Sequence, residues 1–128
     1  MSRKLDDLSP RCRPLAVEFL ARLVEAGIPV MIIDTRRTPE EHADNLRRGV
    51  SWTKRSKHLD GDALDVCPYS VYHIAGPDKL QWDAADPIWA RIGVIGESVG
   101  LRWGGRWVKT PDLGHFEYVE THGPITHA

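Results

Sequence analysis

The run Ser56-Lys57-His58-Leu59-Asp60-Gly61-Asp62-Ala63-Leu64-Asp65 constrains this chain more than any other stretch. From His58 to Asp65 it sets one imidazole and three carboxylates within eight positions, around a single glycine. Zinc and similar divalent transition metals accept that mix of histidine nitrogen and carboxylate oxygen. His58 and Asp65 lie seven apart, too far to be neighbours on one helical turn. Asp60-Gly61-Asp62 reads as a turn that folds His58 back over the following segment. From Ala63 the pattern suits a short strand, whose alternation puts Ala63, Asp65 and Cys67 on one face. Taken alone, Asp-Gly-Asp is also a common surface turn, and a histidine beside it an ordinary solvated residue. A catalytic zinc site needs three protein ligands and an open position, so a further ligand has to come from elsewhere.

A second stretch offers it. From His115 the sequence His115-Phe116-Glu117-Tyr118-Val119 alternates polar and apolar, as on a half-buried strand. His115 and Glu117 share one face, and Phe116 and Tyr118 the other. Asp112 precedes His115 by three residues across a glycine-containing turn, so one group can bind a metal while the other holds a water beside it. On its own this stretch reads equally well as an edge strand with an exposed histidine.

Together the two stretches form S-x-H-x-x-G-x-A-x-D followed downstream by D-x-x-H, with Ser56, His58, Gly61, Ala63 and Asp65 filling every defined position of the first signature. This resembles the zinc peptidases of the M15 family, the D-alanyl-D-alanine carboxypeptidase and dipeptidase group. Within that group the chain is most similar to the short L-alanyl-D-glutamate peptidases that serve as phage endolysins. The resemblance runs from about Ile28 to Val119. Arg37-Thr38-Pro39-Glu40-Glu41 matches the family's R-[ST]-x-E-E pattern, with Arg36 the neighbour it could be confused with. Trp103-Gly104-Gly105-Arg106-Trp107 is similar to a W-G-G-x-W run, although Arg106 stands where an acidic residue is usual.

The resemblance implies an α+β fold of the Hedgehog/DD-peptidase type, a small antiparallel sheet flanked by helices. It implies Zn2+ held by His58, Asp65 and His115, with Asp112 as general base and then acid, and Glu117 in reserve for that role. Arg37 would stabilise the oxyanion. Ser56 would orient a ligand or the substrate, and Trp103 and Trp107 either contact substrate or pack the core. The implied reaction is hydrolysis of the L-alanyl-D-glutamate bond in peptidoglycan stem peptides; an Asp rather than a Glu at position 112 points to that branch. The alternatives are D-Ala-D-Ala carboxypeptidase or dipeptidase activity, or a non-catalytic zinc-containing wall-binding module.

The rest of the chain frames these residues. Its 128 residues suffice for one catalytic domain and are too few for a separate wall-binding module as well. Net charge is −1, which argues against general nucleic-acid affinity. Residues 1–57 carry 12 basic and 8 acidic groups and residues 58–128 carry 5 and 10, a polarity that could help hold an anionic substrate. Cys12 and Cys67 fit no metal or redox motif and are expected as free thiols. The sequence shows no apolar leader and no membrane span. The expectation is a monomer made in the host cytoplasm, reaching the wall after membrane permeabilisation by a holin-type partner.

Helices are expected to about Ala26, over 39–48 and over 87–99, the first with Leu15, Phe19, Leu20, Leu23 and Val24 on its apolar stripe. Thr38 and Glu41 make a capping box, and Asp86-Pro87 opens the third helix. Ile28–Ile33 reads as a buried strand. Residues 69–82 read as a loop beside the cleft, with Tyr69, Tyr72 and Trp82 as walls. His42, His73, His122 and His127 are read as residues without a ligand role, the last two in a frayed tail.

Overall fold

The computed structural model describes residues 2–47, 57–69 and 80–120, apart from the side chains of His42 and Asn45. Ser56, Tyr72, His73, His122 and His127 therefore lie outside the described residues. The elements are α1 (Arg13–Glu25), β1 (Val30–Asp34), α2 (Pro39–Arg47), β2 (Ala63–Pro68), α3 (Ile88–Ser98), β3 (Arg102–Trp103) and β4 (His115–Glu117), with short 3-10 turns between some of them. The strands form one antiparallel sheet in the order β1-β2-β4-β3, which is the α+β architecture read from the sequence. No helix among the described residues is long and apolar enough to cross a membrane.

Sheet order corrects two expectations. β1 is an edge strand rather than a buried one, and Met31 is 41% exposed. β4 lies inside the sheet between β2 and β3, so His115, Phe116 and Glu117 are all buried and the strand is not half-exposed. In α1 the buried side chains are Ala16, Phe19 and Leu23, while Leu15 and Leu20 pack at the rim. Val24 is 77% exposed and does not belong to the stripe. Gly27 follows with φ +72, the left-handed conformation that ends a helix most cheaply at glycine.

The capping box of α2 is present in both directions: the Thr38 hydroxyl accepts from Glu41 N–H, and the Glu41 carboxylate accepts from Thr38 N–H, each at 3.1 Å. At α3 the Asp86 carboxylate accepts the Ile88 N–H at 2.9 Å. The face of α3 that meets the sheet carries two glycines. A Cβ on Gly96 would stand 2.4 Å from the Phe116 ring, and one on Gly93 2.4 Å from the Trp103 indole. Helix and sheet therefore approach through bare backbone, and Phe116 also meets Phe19 of α1 with ring centroids 4.5 Å apart. Cys12 and Cys67 are both buried, and neither forms a disulfide.

Candidate active site

Antiparallel pairing assembles the site. β2 and β4 run in a register that sets Asp65 directly opposite His115, and β1 sets Asp34 opposite Asp65 on the other side. Gly61, with φ +73, turns the chain between His58 and β2, and a Cβ there would come within 2.9 Å of the Ser9 backbone nitrogen. The turn brings His58 onto Asp65, so the folding-back expected around this glycine is present. Donor atoms of His58, Asp65 and His115 lie within 4.8 Å of one another. Two imidazoles and one carboxylate are a donor set that zinc accepts, so these residues can hold such an ion.

Each imidazole is fixed by a bond on the side away from the cluster. His58 Nδ1 donates to the Thr35 carbonyl at 2.8 Å, which leaves Nε2 facing Asp65 Oδ1 at 3.2 Å. His115 reverses the use of its nitrogens: Nδ1 meets Asp65 Oδ1 at 3.0 Å, and Nε2 meets Glu117 Oε1 at 2.9 Å. The ring nitrogens turned toward Asp65, and so placed to hold an ion, are thus Nε2 of His58 and Nδ1 of His115. The rings stand edge to face, with centroids 5.2 Å apart. Glu117 is in turn approached by Lys57 Nζ at 3.8 Å, and Lys57 donates to the Tyr118 carbonyl at 2.9 Å.

These contacts set the charges. Burial alone would raise the Asp65 carboxyl, but hydrogen bonds from His115 and His58 hold it well below the usual carboxylate range. Burial alone would lower His115, yet its bonds to Asp65 and Glu117 win and push it up to about 9. For Glu117 burial works upward, and its bond with His115 outweighs it, holding the carboxyl low. Asp112 goes the other way: crowding by the surrounding protein, and then the negative charge of Asp65, raise its carboxyl above the ordinary range. Its residue nevertheless keeps an exposed side.

Asp112 sits on a tight turn. Its N–H donates to the Gly104 carbonyl at 3.0 Å, and its own carbonyl accepts the His115 N–H at 3.2 Å. Gly104 allows that approach, because a Cβ there would stand 2.6 Å from the Asp112 carbonyl oxygen. Trp103 is 6% exposed, and its indole N–H donates to the Leu113 carbonyl at 2.8 Å. It therefore packs beneath the turn that carries Asp112. Trp107 is 36% exposed and stands beside His115, ring centroids 5.0 Å apart. Arg106 pairs with Glu97 of α3 through two 3.0 Å bonds, which gives the unusual cation a partner on the helix.

Arg37 is brought to the same place. Its backbone N–H donates to the His58 carbonyl at 3.1 Å, and its guanidinium binds Asp34. Arg36 is exposed. Of the three carboxylates in the 60–65 run only Asp65 joins the cluster. Asp62 is 2% exposed and is held instead by Ser9 at 2.5 Å and by Arg11 at 2.6 Å. Trp82, expected as a cleft wall, is 54% exposed past the end of β2, and Tyr69 pairs with Leu80 there.

A family model described as D-alanyl-D-alanine carboxypeptidase, of the M15 peptidase group, matches residues 49–118. The chain belongs to the M15 peptidase family. It is 36% identical over 93 residues to the L-alanyl-D-glutamate peptidase of Listeria phage A118, an alignment covering 72% of this chain and 31% of that protein. To the L-alanyl-D-glutamate peptidase of Escherichia phage T5 it is 34% identical over 107 residues, 69% of this chain and 74% of that protein. It thus spans about a third of the first relative's length and about three quarters of the second's. The crystal structure of the Serratia marcescens L-Ala D-Glu endopeptidase ChiX superposes with a TM-score of 0.73 at 23% identity, over 90% of this chain and 83% of that one, and shares the fold.

Reading the sequence singled out His58, Asp65, His115, Asp112 and Arg37, and the fold brings all five together. It missed Asp34 and the Thr35 carbonyl; Glu117, the reserve candidate for the base, meets His115 Nε2, the ring nitrogen turned away from Asp65. Glu117 had a signal, since it shares a strand face with His115. A backbone carbonyl has none.

Proposed function

We propose that this chain is a zinc-dependent peptidoglycan peptidase that hydrolyses the L-alanyl-D-glutamate bond of stem peptides. The observation that carries the reading is the three-donor cluster of His58, Asp65 and His115 with a raised carboxyl, Asp112, on the adjoining turn. The names of the two phage relatives support the choice of bond. His58 Nε2, Asp65 and His115 Nδ1 would hold the ion, which when bound would acidify water and polarise a carbonyl.

The chain's own groups do the rest. Asp112 takes the proton of the attacking water and returns it to the leaving amine. A carboxyl raised by its surroundings suits the first half of that cycle, because it takes up a proton more readily than an ordinary carboxylate does. Arg37 donates to the carbonyl oxygen as negative charge builds there. Thr35 and Glu117 lock the two imidazoles in the ligating orientation. Trp107 lines the approach beside His115, and Ser56 orients a ligand or the substrate. Delivery to the wall through a holin-type partner, and action as a monomer, belong to the same proposal; the phage origin of the relatives supports the delivery.

Mass spectrometry of purified peptidoglycan digested with zinc-loaded protein tests the reading, with His58→Ala as control. New N-terminal D-glutamate, absent from the control and abolished by chelation until zinc is restored, is the expected result. Release of D-alanine would move the chain to the carboxypeptidase activity named in the family description. Folded, zinc-bound protein that cleaves nothing would refute the enzyme reading.

A further inference from the structure

We propose that Asp34 is a positioning residue for catalysis: its carboxylate aims the Arg37 guanidinium at the reacting carbonyl and ties it to the segment that carries His58. The inference rests on the reading of Arg37 as the oxyanion partner.

Asp34 ends β1 and is 2% exposed. One of its oxygens, Oδ2, accepts from both Arg37 Nε at 3.3 Å and Arg37 Nη2 at 2.9 Å. The same oxygen stands 3.9 Å from His58 Nδ1. The pairing of β1 with β2 shifts register between Ile32 and Asp34, an irregularity of the kind that re-aims a side chain next to a site. Arg37 N–H closes the loop onto the His58 carbonyl at 3.1 Å. A guanidinium on a long side chain has many rotamers, and it stabilises a transition state best when it is already oriented.

The arrangement is a poor one for stability alone. Asp34 Oδ1 is buried with no hydrogen-bond partner among the described residues. Burying a carboxylate with one oxygen unsatisfied is costly, and a buried ion pair is seldom worth more to the fold than apolar residues of the same volume. Desolvation accordingly works against the charged form of Asp34, and Arg37 and His58 work for it. The grip on Arg37 is what the carboxylate supplies in return.

The test is steady-state hydrolysis of a soluble muramyl stem peptide by zinc-loaded wild type, Asp34→Asn, Arg37→Ala and the double variant. Each is assayed with and without guanidinium chloride at sub-denaturing concentration, and cobalt(II) absorption reports the ligand set independently of activity. Arg37→Ala should lower kcat about 100-fold with KM little changed. Asp34→Asn should lower kcat about 10- to 100-fold, the range found when an outer partner of a functional group is removed. The double variant should be no worse than Arg37→Ala, and added guanidinium should rescue Arg37→Ala but not the double variant. Cobalt spectra should be unchanged throughout.

Multiplying losses in the double variant, rescue that is indifferent to Asp34, or an altered cobalt spectrum in Asp34→Asn would overturn the proposal. Should Asp34→Asn fail to fold, the double variant, which leaves no lone buried charge, carries the comparison with Arg37→Ala. An Arg37→Ala enzyme with full activity would instead sink the assigned role of Arg37. An impaired Arg37→Ala beside an unimpaired Asp34→Asn would sink only the role of Asp34.

Discussion

Metal binding should compete with a proton on His115. In the metal-free protein its bonds to Asp65 and Glu117 overcome burial and raise the imidazole from 6.5 to about 9. At pH 7 the protonated ring then outnumbers the neutral one by about 100 to 1, and an ion can bind Nδ1 only after the proton has left. Apparent zinc affinity should therefore rise about tenfold per pH unit from pH 7 and level off near pH 9. Affinity at pH 7 should lie about 100-fold, or about 2.7 kcal/mol, below that plateau. Asp65 contributes no proton, because its carboxyl is held low.

The sign for the fold is opposite. A folded-state value raised above the unfolded one stabilises the metal-free protein fully below pH 6.5, and that stability is lost as pH rises through about 9. The loss amounts to about 3 kcal/mol. Isothermal titration of zinc at pH 7, in buffers of different ionisation enthalpy, should count about one proton released by His115 per ion. Glu117→Gln removes one of the two raising partners, so proton release at pH 7 should fall. A zinc affinity flat between pH 7 and 9, or zero protons released from the wild type, would refute the reasoning.

Asp112→Asn should lower kcat by about 10²- to 10⁴-fold while leaving zinc affinity within a few-fold, measured by chelator competition; retention of most activity would move the base elsewhere. Gly96→Ala drives a methyl into the Phe116 ring, 2.4 Å from the new Cβ, and should cost about 1–3 kcal/mol in urea unfolding of the metal-free protein. Thr38→Ala removes one half of the capping box on α2 and should cost about 0.5–2 kcal/mol in the same assay, with zinc affinity unchanged.

How much of this was legible depends on how local each cause is. The Thr38–Glu41 box, the opening of α3 at Asp86-Pro87 and the turn at Gly61 follow from short-range backbone chemistry, and the sequence announces them. The ligand types and spacings at His58, Asp65 and His115, with Asp112 three residues upstream, sufficed to name the cluster once a family pattern linked the two stretches.

Strand order is not local, and from it follow the exposure of Met31 on an edge, the burial of His115 and Glu117 inside the sheet, and the pairing of Asp65 with His115. Val24 carries the right residue type at helical spacing, yet it faces solvent because α1 meets α3 and the sheet on its Ala16–Phe19–Leu23 side. The sequence by itself determined which chemistry this chain can perform, since donor atoms and turn residues are properties of the residues. Only the tertiary structure decided which nitrogen of each imidazole faces the cluster, that Glu117 stands behind His115 rather than before it, that Asp62 belongs to Arg11, and that Asp34 holds Arg37. Those choices depend on contacts between residues far apart in the chain, settled by the packing of a whole sheet.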